Sequence, residues 1–194
     1  MKIGIIGKGN VGTALATGLS RAGHEIKFGH RDPKEPVEEA AKWGDVIILA
    51  VPFDNVSDAA KAVGSLADRK TLIDVTNALD KNWELAIGFT TSAAEKLKSY
   101  LPNARVVKAF NTVLAQNQSS GRINNEQLTL FVAGDDKEAK QTVMQLGKDI
   151  GFDSVDAGPL KAARYLEPMG VLNINLAYTL KMGPKIGYRL VKGS

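Results

Sequence analysis

Residues 7–12 read Gly7-Lys8-Gly9-Asn10-Val11-Gly12, three glycines at a spacing that lets backbone pass close to a bulky anion. Gly7 allows a tight turn. Gly9 leaves no Cβ between the chain and an approaching pyrophosphate, and Gly12 lets a following helix sit close to the preceding strand. The free N–H groups and positive dipole end of that helix would then face the phosphates. A Gly-rich turn needs no ligand by itself. Here the apolar run Ile3-Gly4-Ile5-Ile6 precedes it and an Ala-rich stretch follows it, the strand-turn-helix setting that a dinucleotide fingerprint requires. Residues 7–12 are therefore expected to contact a dinucleotide.

The next extended run ends Phe28-Gly29-His30-Arg31. NAD sites usually carry Asp or Glu about 20 residues after the glycines, where it holds the ribose hydroxyls. No acid stands at this tip. Arg31 stands where a guanidinium could grip a 2′-phosphate in a fork, and Lys8 and Lys34 add charge nearby. The alternative is a solvated Arg31–Asp32 turn pair with Asp32 as the ribose ligand. The absence of an acid at the tip favours NADP(H).

Three more loops fall at the carboxyl ends of expected strands, where ligands bind on such sheets. They are Ala50-Val51-Pro52-Phe53, Val75-Thr76-Asn77-Ala78 and Ala109-Phe110-Asn111-Thr112. Pro52 fixes the chain direction, Phe53 offers a flat face beside a ring, and Asn77 and Asn111 suit a carboxamide. Singly, each residue also suits packing, a turn or a cap. Together they outline a nicotinamide and acceptor cleft. No acid–base set stands out and no catalytic side chain is assigned. His24 sits in a helix-to-strand turn and reads as structural, and His30 lies at the adenosine end. No Ser/His/Asp arrangement or metal-ligand spacing is present. Hydride transfer between two ring systems needs neither, because the cofactors carry the chemistry and the protein supplies orientation.

The elements that must hold these loops follow from hydrophobic pattern. Strands are expected at Lys2 to Ile6, Glu25 to Phe28, Val46 to Val51, Thr71 to Val75, Arg105 to Ala109 and Leu128 to Ala133. Several are apolar throughout, as strands buried on both faces are. Helices are expected at Val11 to Ala22, Pro36 to Trp43, Val56 to Leu66, Thr91 to Tyr100 and Lys137 to Gly151, with Asn10 and Asp136 as N-caps and Gly23 and Gly151 as stops. The alternation implies an α/β Rossmann architecture, a doubly wound, mostly parallel sheet. From Pro159 to Lys181 the pattern changes to one long helix, interrupted or capped near Pro168. The expected division is a Rossmann domain over 1–157 and a helical segment over 158–194 that packs on it.

At this point the residues resemble a known family, the NADPH-dependent reductases of the deazaflavin coenzyme (factor 420), or NADP oxidoreductase coenzyme-dependent family. The likeness rests on Ile6 to Gly12, Gly29-His30-Arg31, Ala50-Val51-Pro52, Asp74-Val75-Thr76-Asn77, Val107 to Thr112, and Asp156 to Leu160 followed by Ala163 to Met169. It implies a Rossmann domain with a small C-terminal helical part, NADPH in the first site, a flavin-like acceptor stacked on the nicotinamide, and often a homodimer. By that likeness His30 and Arg31 hold the 2′-phosphate, and Ala50, Val51 and Pro52 lie by the nicotinamide. Asn77, Ala109, Phe110 and Asn111 border the cofactor, while Phe53, Thr112 and Met169 border the acceptor. The chain departs from the family pattern at Lys8, where Thr or a small residue is usual, at His30, where Ser or Thr is usual, and in a short stretch from Arg31 to Asp45.

The functional expectation is an NADPH-dependent oxidoreductase passing hydride to a deazaflavin or flavin-type acceptor. The alternatives are an NADP(H)-binding sensor without turnover and a reductase of another small acceptor such as a ferric chelate. Composition sets the outer limits. The 194 residues include no Cys, which excludes disulfides, thiol nucleophiles and iron–sulfur clusters, and the two His argue against a metal site. No window reaches about 18 consecutive apolar residues, so no membrane span is expected, and a cytoplasmic setting fits. The net charge of +4 belongs to the last fourteen residues, which hold Lys181, Lys185, Arg189 and Lys192 and no acid. The tail reads as a solvated helix end or as a contact with an anionic acceptor or partner subunit. No basic helix with aromatic or Arg clusters points to nucleic acid.

Overall fold

The computed structural model describes residues 1–193. Strands β1 (Lys2–Ile6), β2 (Glu25–Gly29), β3 (Val46–Leu49), β4 (Thr71–Asp74) and β5 (Arg105–Lys108) run parallel, joined by helices α1 (Asn10–Arg21), α2 (Val37–Trp43), α3 (Val56–Val63) and α4 (Ala93–Tyr100). A short helix α5 (Ala115–Gln118) and a hairpin of β6 (Arg122–Ile123) and β7 (Glu126–Gln127) lead to β8 (Thr129–Gly134), α6 (Lys137–Asp149), β9 (Asp153–Gly158) and α7 (Ala163–Ile174). The main sheet has seven strands in the order β2-β1-β3-β4-β5-β8-β9. The chain reverses its direction of travel across the sheet at β1, so β1 and β3 flank the switch point of a doubly wound fold, where such sheets open a crevice.

Alternation across the central strands explains the three layers. Val46 and Ile48 face the cluster built with Leu15 and Leu19 of α1 and Val143 and Leu146 of α6. Ile47 and Leu49 face the opposite cluster, with Ala40 and Ala41 of α2, Val56 and Ala60 of α3 and Leu97 of α4. Both faces are covered, which is why these strands carry no polar alternation.

The fold is the α/β Rossmann class expected from the pattern, with four departures. β8 pairs antiparallel with β5. β9 went unrecognised because it is a polar edge strand, with Asp153 and Asp156 in place of a β-branched run. The hairpin and α5 are too short to register as hydrophobic periodicity. Gly9, in place of Asn10, occupies the N-cap of α1, and no side chain caps it. Asp136 does cap α6, accepting from the Ala139 N–H at 2.8 Å.

The long helix expected from Pro159 to Lys181 is a chain of three pieces. A 3₁₀ turn spans Leu160–Ala162, α7 runs through Pro168, and a wider π turn spans Asn175–Thr179. Positive φ at Lys181 and Gly183 then turns the chain out of the helix. The remainder lies extended along the body. The Thr129 N–H donates to the Tyr188 carbonyl at 2.9 Å, and Asn117 Nδ2 donates to the Pro184 carbonyl at 2.9 Å. No helix among the described residues is long and apolar enough to cross a membrane.

Candidate functional site

The Gly-rich turn leaves β1 at the switch point. Gly7 has φ +108°, and a Cβ there would lie 2.2 Å from the Ala50 carbonyl oxygen, so only Gly fits between β1 and the loop after β3. A Cβ on Gly12 would lie 2.2 Å from the Gly7 carbonyl oxygen, which is how closely α1 is set against the turn. At Gly9 a Cβ would meet nothing within 4 Å, so the space over that residue is open. The first turn of α1 holds no acid and no side-chain cap. Its N–H groups and dipole are therefore left for an external anion. These features fit a pyrophosphate.

Two adjoining cavities open on this edge. The first, of about 630 Å³, is walled by Gly9 to Val11, by Ala50 to Asp54, by Val75 to Asn77, and by the loop carrying Trp83. The second, of about 680 Å³, lies between the 111–115 segment and the C-terminal helical pieces at Gly170, Ile174 and Tyr178. Asn10, Val11, Val75, Asn77 and Trp83 line both. Both volumes fall in the range of small-molecule sites.

The structure sorts the expected site residues. Asn10 and Val11 reach both cavities, Ala50, Val51, Pro52 and Phe53 the first, and Asn111 and Thr112 the second. Asn77 and Asn111 are bound to each other. Asn77 Nδ2 donates to the Asn111 carbonyl at 2.9 Å, while Asn111 Nδ2 donates to Asn77 Oδ1 at 2.9 Å and to the Leu166 carbonyl at 2.8 Å. They therefore hold α7 against the sheet as well as lining the cavities. Three residues lie elsewhere than expected. Phe110 is 1% exposed and packs edge-on to Phe152 with ring centroids 5.9 Å apart, so its ring belongs to the core instead of a cavity wall. Ala109 is buried beside it, at the end of β5. Met169 lines neither cavity, and its carbonyl accepts from the Tyr188 hydroxyl. His30 and Arg31 lie past the first cavity at the end of β2, and Arg31 has no ion-pair partner among the described residues.

Three features escaped the sequence reading. Trp83, 66% exposed with φ +65°, sits on a loop pinned by the Leu79–Leu85 bridge and by Asp80 Oδ1, which accepts from the N–H groups of Asn82 and Glu84. A lone Trp in the polar stretch Asp80 to Glu84 was its signal. Gly170 lets α7 approach, since a Cβ there would meet Asn77 Oδ1 at 2.5 Å. The third is a buried charge cluster. Lys108 Nζ pairs with Asp74 at 2.8 Å and Glu167 at 2.9 Å and donates to the Thr76 carbonyl. Glu167 also accepts from the Ala93 N–H at 2.9 Å, joining α7 to the start of α4. Burial pushes the Glu167 carboxyl above the usual carboxylate range despite Lys108. Burial opposes the Lys108 charge, but Asp74 and Glu167 together hold its ammonium above the ordinary lysine value.

Fold and site define a dinucleotide-binding α/β protein with a second chamber beside the first. Residues 2–78 match the family model described as NADP oxidoreductase coenzyme F420-dependent, and the chain resembles that family as its motifs implied. It is 35% identical over 179 residues to metalloreductase STEAP3 of Rattus norvegicus, covering 86% of this chain and 36% of that one. It is 28% identical over 152 residues to the F420-dependent NADP reductase of Methanocaldococcus jannaschii, covering 74% of this chain and 68% of that one. The crystal structure of a putative F420-dependent NADP-reductase from Arthrobacter sp. FB24 superposes with a TM-score of 0.92 at 27% identity, over 99% of this chain and 100% of that one. The chain spans little more than a third of the length of the metalloreductases it matches, 36% for STEAP3 and 38% for human STEAP2.

Proposed function

We propose that this chain is an NADP(H)-dependent oxidoreductase that passes hydride between NADPH and a deazaflavin or flavin-type acceptor. The observation that carries the reading is the pair of contiguous chambers over the Gly-rich turn, with Asn10, Val11, Val75, Asn77 and Trp83 as a common wall. The bound nicotinamide supplies the hydride. The chain's residues hold its phosphates on the α1 terminus, seat one ring against Val51 and Pro52, and keep the two rings side by side. No titratable side chain stands in the common wall, which suits a transfer that needs orientation and no protein acid or base. The reductases named among the relatives support the same class of reaction.

The test is an acceptor panel. Oxidation of NADPH is followed by the near-ultraviolet absorbance of the reduced nicotinamide with deazaflavin, riboflavin, FMN and ferric chelate. Turnover with a ring acceptor is expected. Tight NADPH binding without turnover on any acceptor would establish the sensor reading instead. Ferric chelate is the second reading, because the chain is 35% identical to a metalloreductase over most of its length.

Arg31→Ala is expected to weaken NADPH about tenfold or more while leaving NADH nearly unchanged, since a charge-assisted fork to a phosphate is lost only with the first. Equal losses in the two titrations would remove Arg31 from the 2′-phosphate site. The proposal also carries a cytoplasmic homodimer, with residues 158–194 acting as a wall of the second chamber and not as a separate domain. Exposed Tyr165, Leu172, Tyr178 and Leu180 on that segment support self-association.

A further inference from the structure

At the end of β2 the chain has built an ion-pair knot that the cofactor reading leaves unused. Both oxygens of Glu35 accept from Lys8 Nζ at 2.9 Å, and one accepts from His30 Nε2 at 2.5 Å. His30 Nδ1 accepts from the Asp32 N–H at 3.2 Å, which assigns the ring proton to Nε2, facing the carboxylate. The backbone holds Glu35 in place. Its N–H donates to the Asp32 carbonyl at 2.9 Å and its carbonyl accepts from the His30 N–H at 2.8 Å. Asp32 is taken up in the same loop, where Oδ1 accepts from the Lys34 N–H at 2.9 Å. The segment from His30 to Glu35 thus closes on itself and returns a carboxylate over the Gly-rich turn.

Lys8 and His30, with Arg31, are the groups this end of the site offers to a 2′-phosphate. A carboxylate seated on two of the three occupies an anion's place. We propose that Glu35 is a built-in occupant of the 2′-phosphate subsite, displaced by a 2′-phosphorylated dinucleotide and left in place by one with a free 2′-hydroxyl. This rests on the reading of the site as NADP(H)-binding. Lys8 and Glu35 are both partly exposed, so their pair is screened and released at small cost. A phosphate carries more charge and would gain Arg31 as well. With Glu35 in place, a ribose hydroxyl meets an acceptor, as at an NAD site. Glu35 therefore narrows the discrimination between the two cofactors, making it a specificity-determining residue.

The experiment is a titration of the wild-type chain, Glu35→Ala and Glu35→Gln with NADPH, NADH and 2′,5′-ADP. Both variants are expected to bind NADPH and 2′,5′-ADP about fivefold more tightly, the scale of one released, partly exposed ion pair, with NADH unchanged or weaker. If the wild type binds NADPH and the variants bind it equally or less well, this proposal falls alone. The same holds if NADPH and NADH gain equally. A wild type that binds neither dinucleotide overturns the cofactor reading, and this proposal with it. Unchanged unfolding temperatures in both variants keep the comparison clear of folding effects.

Discussion

Lys108→Met lowers the unfolding free energy by about 3–5 kcal/mol, the cost of stranding buried charge when one partner of an ion pair is removed. Lys108 is fully buried between Asp74 and Glu167, each less than 3 Å from its ammonium. Without it, two buried carboxylates face one another with the Ala93 N–H as the main relief for Glu167. A loss of that size is a large share of the total stability of a domain this long. The pH dependence has a definite sign. Burial already raises the folded-state pKa of Glu167, and loss of the Lys108 charge raises it further. The folded variant then binds more protons than the unfolded chain. The stability that Glu167 contributes is greatest in acid and is lost as pH rises from the ordinary carboxylate range through its raised folded value. Denaturant unfolding at about pH 5 and about pH 8 reads both effects. A deficit under about 1 kcal/mol, or one equal at the two pH values, would show that the buried charge cluster does not brace α7 against β4 and β5.

Gly12→Ala raises the dinucleotide Kd about 100-fold, close to 3 kcal/mol, because the added Cβ meets backbone and not a yielding side chain. The Gly7 carbonyl oxygen lies 2.2 Å from the position of that Cβ, and Ile5 Cγ2 3.4 Å from it. Helix α1 must move off the turn, and the N–H groups aimed at the pyrophosphate move with it. Overpacking also costs the fold about 1–3 kcal/mol, visible as a lower unfolding temperature. Gly9→Ala is the matching control. Its φ of −80° suits any residue and its Cβ meets open space, so the free chain keeps its stability. Binding alone should suffer, since the methyl group lies where the phosphates approach. Loss of affinity at Gly12 with no loss of stability, or loss of stability at Gly9, would contradict this division of labour between the two glycines.

Gly7, with φ +108°, and Gly12, set against the Gly7 carbonyl, show why this turn was legible in the sequence. A turn that must carry positive φ at one residue and admit backbone at 2–3 Å at another accepts only Gly, so the motif records the geometry directly. The same holds for Asp136, whose side chain caps the residue three positions on. Local constraints of this kind are written in local sequence. The central strands were legible for a different reason, since burial on both faces leaves apolar residues at every position. β9 satisfies neither condition. It is held by its pairing with β8 at the sheet edge, and its own residues alternate Asp153, Val155 and Ala157 with polar or small neighbours without an apolar run.

The site divides along the same line. Gly7 to Gly12, Ala50 to Phe53, Asn77 and Asn111 were identified from the carboxyl ends of strands, and all but Gly7, Lys8 and Gly12 line the cavities. Phe110 was assigned to the cleft on the same reasoning. Its positive φ, +65°, turns the ring inward to Phe152, a contact forty-two positions away that no local pattern encodes.

The sequence by itself determined the fold class, the Gly-rich turn before α1 and the cationic tip at His30 and Arg31, because each depends on residues adjacent in the chain. The tertiary structure decided which charges meet. Asp74 and Lys108 lie side by side only once β4 and β5 pair in register, and Glu167 reaches them only when α7 docks on that edge. Glu35 stands in the polar stretch Arg31 to Pro36, where no local pattern marks it out. Folding carries it onto Lys8, twenty-seven positions away, because the loop closes through Asp32 and β2 sets its tip beside the Gly-rich turn. Hydrophobic period and glycine spacing predict where chain segments lie. The pairing of distant charges follows from how those segments pack, and that packing assembled the Lys108 cluster and the Glu35 ion pair with Lys8.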